Sequence, residues 1–465
     1  MRILVAYSMS STHVQTTLDY LLALKRYSSH EVSYVHATHE AVMDFDFDDF
    51  DVVLQNYCAR LCFEGYVSRS YREALKRFRG LKMLAVQDEY NRTNVLKAAI
   101  RELGFHVVLT CVPQDSLEYV YPRREFPDVE FVTVLTGYVP DHLVDAGRTP
   151  APLGRRPLVI GYRGRDIGGL YGRLAFEKYE IGRRMREICQ ERGIPHDIAM
   201  DDQSRIYGPA WLDFIGSCRS MLGSESGSNV FDFDGSIERT YKEMAGARSW
   251  KVGYDEFLPL VARHESEISM GQISPRAFEC AAMRTPMILF RGRYSGVLTA
   301  DVHYIPLEKD FSNVDEVLGR LEDLPALEAM AQTTYRDLVD SGRYGYAAFG
   351  RQLCAIIERK FDELGLVPAA GQALWARNRA RRAGSFHELP TDRPLGPKEL
   401  QAKFSPWLIA AVAGVLFRSP HLPWRERLRR AAGLAAQLAL MRTPVWAKKL
   451  ALRFPLGRYI RSRLS

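Results

Sequence analysis

Short apolar runs of strand length alternate with stretches of helical periodicity from the first residue onward, the pattern of a parallel α/β chain. Arg2 to Tyr7 reads as a first strand, and the loop 8–12 leads into a helix. Thr12 and Gln15 stand there at capping-box spacing, ahead of Val14, Leu18, Leu21 and Leu22. Further strands are expected at 31–36, 50–57, 81–87 and 105–112, with helices at 68–79 and 92–103, the second closed by Gly104. A last run spans 131–137, and the Pro-, Gly- and Arg-rich stretch 139–157 reads as a linker.

The pattern then restarts. Strands are expected at 158–162, 196–200, 220–224, 286–290 and 303–307, with a helix near 174–192 and a long final helix at 346–364. An irregular insertion of about forty residues separates the run 220–224 from Ser274, which caps a helix whose first position is Pro275. Ser312 or Asn313 is placed to cap the helix carrying Val317, Leu318 and Leu321. A chain of 465 residues is too long for one ordinary core. The fold class is therefore α/β with two Rossmann-like domains, over 1–145 and 155–365, followed by a basic helical appendage over 366–465.

Charge sharpens that division. Residues 366–465 hold nineteen Lys/Arg against four Asp/Glu, so the tail carries +15 and the remainder −8 of the net +7. A mildly acidic body argues against nucleic-acid binding, and the tail fits an anionic membrane surface met from the cytoplasmic side. The run 407–417 is apolar but short of the ~20 residues a spanning helix needs. Residues 424–463 interleave Leu, Ala, Trp and Phe with Arg and Lys, the composition of an interfacial helix pair. The seven cysteines include no CxxC pair and read as reduced thiols, and the strand-like opening is not a secretory leader, so a cytoplasmic setting is expected.

Candidate chemistry concentrates in the second half. Ser274-Pro-Arg-Ala-Phe-Glu279 delivers a carboxylate one turn into a capped helix, and Pro286 leads the following strand. This stretch resembles the C-terminal-domain motif of GT-B glycosyltransferases, whose two Rossmann-like domains face each other across a cleft. The Arg-x-Phe-Glu form, followed by His303-Tyr-Ile-Pro-Leu, Asp310 and Asn313, is similar to the spore-maturation-type bacterial branch. The resemblance covers roughly 1–365 and implies that Glu279 accepts from a nucleotide ribose, with Ser274, Arg276 and the helix N-terminus near the diphosphate. That pattern carries a second glutamate eight residues earlier, where this chain has Gly271; Glu225, at the end of the preceding strand, is the candidate to supply it. Arg163 and Arg165 at the end of the restarted strand, with Lys178 in the next helix, lie where open sheets bind ligands. The resemblance assigns them to the donor phosphates, which such cations can neutralise without a metal or cofactor, and Tyr294 and Ser295, after the strand ending at Phe290, are placed to add hydroxyl and backbone donors.

The acceptor side is expected in the first half. His13, at the first strand-to-helix turn, suits a general base or sugar-hydroxyl ligand as well as a surface cap. Asp88 and Glu89 form an acid pair at the end of the fourth strand, where one of them fits a base or acceptor ligand. The triplets Asp44-Phe-Asp46 and Asp232-Phe-Asp234 match a metal-binding Asp-x-Asp but read as surface turns, and no phosphate-loop or Gly-x-Gly-x-x-Gly motif is present. The expected activity is sugar transfer from a nucleotide-diphosphate donor to a glycan or glycolipid hydroxyl in bacterial polysaccharide biosynthesis. A sugar-nucleotide epimerase of the same fold and a non-catalytic nucleotide-sugar-binding scaffold at the membrane are the alternatives. For the tail, a helical subdomain with a solvated basic face competes with membrane attachment. Sedimentation with anionic liposomes separates the two: salt-sensitive binding abolished by removing 366–465 is expected, and binding unaltered by truncation contradicts it.

Overall fold

The computed structural model of the chain describes residues 1–39, 41–43, 45–145, 150–246, 251–265, 267–368 and scattered positions from 399 to 435. Most of the basic tail, with the interfacial helices expected in it, therefore lies outside the described residues.

Two sheets are present. The first is built from β1 (Arg2–Tyr7), β2 (Glu31–His36), β3 (Val52–Gln55), β4 (Leu81–Ala85), β5 (Val107–Thr110) and β6 (Glu130–Thr133), in the order β2-β1-β3-β4-β5-β6. The second contains β7 (Leu158–Arg163), β8 (His196–Ala199), β9 (Cys218–Gly223), β10 (Met287–Phe290) and β11 (Ile305–Leu307), in the order β11-β10-β9-β7-β8. Read from β8, the second sheet follows the same doubly wound order as the first five strands of the first. β1 pairs in parallel with β2 and β3, and β7 with β8 and β9, so each sheet has its topological switch point between its first and third strands. The contacts fall into two compact units, one holding β1 to β3 and the other β5 to β11, with the division passing through β4 at Lys82 and Met83.

Side-chain alternation along the second sheet explains its two covered faces. Met221, Met287 and Leu289 pack with Phe278, Ala281 and Ile215 on one side, whereas Leu222, Ile288 and Phe290 pack with Ile181, Met185 and Cys189 on the other. The helix Gly172–Glu191 covers the latter face, and the helices Pro209–Ser217 and Pro275–Ala282 cover the former.

Several expected local features form as the residues dictate. Ser274 accepts from the Arg276 N–H with Pro275 at the first helical position, and Gly104, at φ 67°, closes the helix Thr93–Leu103 by donating to Ile100 O. Others do not. Thr12 spends its hydroxyl on Met9 O, the short helix Met9–Ser11 intervenes, and the regular helix starts at Gln15, so no capping box forms. Asn313 bonds Glu308 N and Pro306 O instead of its own helix, so Asn313 caps with backbone geometry alone. The insertion between 225 and 273 is not irregular: it carries the helices Ser236–Ala245 and Tyr254–Val261 around a small core of Val230, Val252, Phe257 and Val261. The linker region includes the short helix Asp141–Asp145. Asp232 is buried and caps the insertion's first helix through Ile237 N and Glu238 N, so it is no surface turn, whereas Asp46 caps a one-turn helix and Asp44 lies outside the described residues.

Arg156, 5% exposed, fixes the far end of the Pro275–Ala282 helix. Its guanidinium donates to Ala151 O, Cys218 O, Thr285 Oγ1, Met283 O and Arg284 O, and burial pulls its pKa down to about 10. Arg156→Leu removes all five of these hydrogen bonds and is expected to destabilise the fold by about 3 kcal/mol, seen as a lower urea midpoint. An unchanged midpoint contradicts this.

Candidate active site

The carboxyl edge of the second sheet gathers the ends of β7, β9 and β10 with the N-terminus of the Pro275–Ala282 helix. A helix start carries positive potential, here with Pro275 lacking an N–H and the Arg276 N–H capped by Ser274. The preceding segment is tied down on several sides: Thr136 Oγ1 donates to Ile273 O at 2.5 Å, Gln272 Nε2 to Cys111 O at 2.7 Å, and Ser295 N to Gly271 O at 2.8 Å.

Three charged side chains meet here. Lys178 is half-buried, and among the described residues its ammonium makes no hydrogen bond and no ion pair. Burial lowers its pKa to about 8, against the opposing pull of the Asp88 charge and with a smaller push from Arg276. Arg276 lies with its guanidinium 5.0 Å over the Tyr162 ring and 5.5 Å over the Trp211 ring; its Nη2 donates to Arg163 O at 2.6 Å, while its Nε is buried without an acceptor. Tyr162 OH in turn donates to Lys178 O at 2.6 Å, which packs the cations together. Asp88 has a left-handed backbone, φ 53°, and accepts from Tyr90 OH at 2.7 Å. Its loop is held by the insertion, through Asp232 N to Tyr90 O, Thr93 N to Asp232 O and Asn94 N to Phe233 O, and by an Arg92–Glu238 ion pair at 2.9 Å. A non-glycine residue in that conformation is strained and persists only when its surroundings enforce it.

Two carboxylates flank this group. Glu225, 7% exposed, accepts from Arg293 N at 2.5 Å and Tyr294 N at 3.4 Å. A β-carbon at Gly271 would lie 2.8 Å from Glu225 Oε1, and Gly271 takes φ +46°. The carboxylate of Glu225 thus occupies the space where a side chain at 271 would begin, beside the Ser226–Gln272 bridge. Glu279 is half-buried and accepts from Trp211 Nε1 at 2.7 Å. Burial raises its pKa, with the Trp211 N–H and the Arg276 charge working in the opposite direction.

The remaining candidates sit elsewhere or are otherwise engaged. Arg163 turns toward β8, where it pairs with Asp197 at 2.7 Å, donates to Ser204 O, and covers Phe214 at 4.2 Å. Arg165 is exposed and lies 3.6 Å from Asp202. Tyr294 is buried and bonds Phe290 O, whereas Ser295 Oγ accepts from Ile273 N at 3.0 Å and so steadies the segment before Ser274. Glu89 is fully buried and accepts from Thr110 Oγ1, Tyr121 OH at 2.8 Å and Cys111 N at 3.0 Å, which leaves Asp88 as the accessible member of the pair. His13 is exposed in the other compact unit, with Nδ1 2.8 Å from Ser10 O. Trp211 was not among the candidates; its only sequence signal is the Gly208-Pro209 helix start two residues earlier. Among the described residues no three His, Cys, Asp or Glu side chains are arranged to hold a metal ion, and no helix is long and apolar enough to cross a membrane.

No family model matches the sequence, and no curated protein matches it. Among solved structures the chain is similar to sucrose-phosphate synthase from Thermosynechococcus elongatus, at 11% identity and TM-score 0.41 over 78% of this chain and 100% of that one. It is also similar to Anabaena HepE in complex with UDP, at 8% identity and TM-score 0.41 over 77% and 100%. A third likeness is to a Staphylococcus aureus MnaA–UDP co-structure, at 11% identity and TM-score 0.37 over 80% and 99%. At this distance function has to be argued from the site itself.

Burial pushes the Glu89 carboxyl up to about 7, despite three hydrogen bonds that favour its ionised form. A carboxyl raised in the folded state contributes stability that is present below its ordinary pKa and is lost as pH rises through the folded value. Thermal or urea unfolding from pH 5 to 8 is expected to show roughly 3 kcal/mol of lost stability from this group, and Glu89→Gln to remove that slope. An identical slope in both proteins contradicts the assignment.

Proposed function

We propose that the chain is a glycosyltransferase that moves a sugar from a nucleotide-diphosphate donor to a hydroxyl of a bacterial surface glycan or glycolipid. The observation that carries this reading is Lys178, a partially withdrawn ammonium without a partner among the described residues, set against Arg276 and the start of the Pro275–Ala282 helix. Such a group of cations fits a diphosphate, whose oxygens supply the acceptor that Lys178 Nζ lacks among the described residues.

In the reaction the bond between the sugar's anomeric carbon and the diphosphate oxygen breaks, and a bond to the acceptor oxygen forms. Negative charge grows on the leaving diphosphate, and Lys178 and Arg276 offset it with no reorganisation at that moment. Glu279 accepts from the ribose hydroxyls, and Glu225, in the space opened by Gly271, accepts from the sugar. Asp88 accepts the hydrogen bond of the incoming hydroxyl and takes its proton as the new bond forms. The acceptor's chemical class rests on composition: an arginine- and lysine-rich stretch over 366–465 suits a substrate carried on an anionic membrane.

A thermal-shift panel of nucleoside diphosphates is expected to find a stabilising ligand. Lys178→Ala should then lower kcat/KM for the matching nucleotide sugar about 100-fold, and Asp88→Asn should lower kcat and also raise donor KM, since Lys178 loses the charge that favours its protonated form. Because the lysine is charged only below its pKa of about 8, nucleoside diphosphate affinity should fall as pH rises beyond that value. Full turnover in Lys178→Ala removes the proposal.

A further inference from the structure

Trp211 occupies the first turn of the helix Pro209–Ser217, which begins at Gly208 with φ +63°. It is half-buried and held on several sides. Phe214 stacks against it at 5.7 Å between ring centroids and 29° between planes, Arg276 lies on its face at 5.5 Å, and its single N–H points at Glu279 Oε2 at 2.7 Å. An indole nitrogen is a donor only, so this contact has one direction.

We propose that Trp211 is a positioning residue for the nucleoside end of the donor: its indole N–H fixes one oxygen of Glu279, so that the other meets the hydroxyl pair of a ribose. The inference rests on the nucleotide-sugar reading above and assigns it a specificity element, a preference for a ribonucleotide over one lacking the vicinal diol. A carboxylate on a two-torsion stem loses rotational freedom when a diol binds, and a carboxylate already locked loses less. The N–H also favours the ionised form, which burial opposes, so the same contact works to keep Glu279 an acceptor. The Arg276 and Lys178 cations are separate groups, so the diphosphate end should not feel the loss of the indole donor as long as an aromatic ring remains under Arg276.

Calorimetric titration of the full chain tests this, with a ribonucleoside diphosphate, its 2′,3′-dideoxy counterpart and inorganic pyrophosphate as probes. Trp211→Phe keeps the ring and removes the donor. It is expected to weaken ribonucleotide binding about tenfold, more at pH 5 than at pH 8, and to leave the dideoxy nucleotide and pyrophosphate unchanged. Trp211→His, which returns a ring N–H, should recover part of the discrimination, and adding Trp211→Phe to Glu279→Gln should have no further effect. If the wild-type chain discriminates between the nucleotides and Trp211→Phe discriminates equally, the positioning role is overturned while the donor reading stands. A parallel fall in affinity for all three probes makes Trp211 merely structural and also overturns the proposal. A wild-type chain that binds neither nucleotide more tightly than pyrophosphate removes both the proposal and the reading beneath it.

Discussion

Removing a cation from water without giving it an acceptor is costly, and folds rarely retain one. Lys178 is partly withdrawn in this way, half-buried, its pKa pulled down to about 8, with the Asp88 charge acting to hold it protonated. Much of the surrounding structure exists to keep it so. Tyr162 fixes the lysine's own carbonyl, and a β-carbon at Gly164 would crowd both that carbonyl and the Tyr162 ring. The insertion pins the loop that carries Asp88 in a left-handed turn. A multivalent anion relieves the lysine and meets the Arg276 charge and the positive end of the helix together, which is why a diphosphate accounts for more of the geometry than any neutral ligand.

The doubly wound order explains where this group lies. In the second sheet β7 and β9 are adjacent although the chain visits β8 between them, so the connections leave in opposite directions and open a crevice at their carboxyl ends. Glu225 follows β9 directly and Lys178 lies on the helix that follows β7. The insertion then brings Gly271 back beside Glu225, so that a carboxylate arriving from a strand end fills a position that a neighbouring segment leaves empty.

Period and punctuation carried most of the fold. β1 and β2 run over the residues that alternation assigns to them, and the Ser274-Pro275 start and the Gly104 stop form as their chemistry requires. The failures are local bonds with a closer competitor: Thr12 meets Met9 O before it can reach a helical N–H, and Asn313 meets the β11 edge. Within the site, an acid pair at a strand end was legible, but which acid faces outward was not. The positive φ at Asp88 resets the direction of the chain, and Glu89 turns in toward Thr110 and Tyr121. Arg163 was misplaced for a similar reason, since the last residue of a strand can point along either neighbour, and Asp197 on β8 captures it. The Trp211–Glu279 contact spans 68 residues, a separation at which no spacing rule applies.

A structure of the chain with its best-binding nucleoside diphosphate would test the central claim most directly. The account predicts diphosphate oxygens within hydrogen-bond distance of Lys178 Nζ, beside Arg276 at the start of the Pro275–Ala282 helix. A diphosphate bound elsewhere, with the Lys178 ammonium still unoccupied, would contradict it.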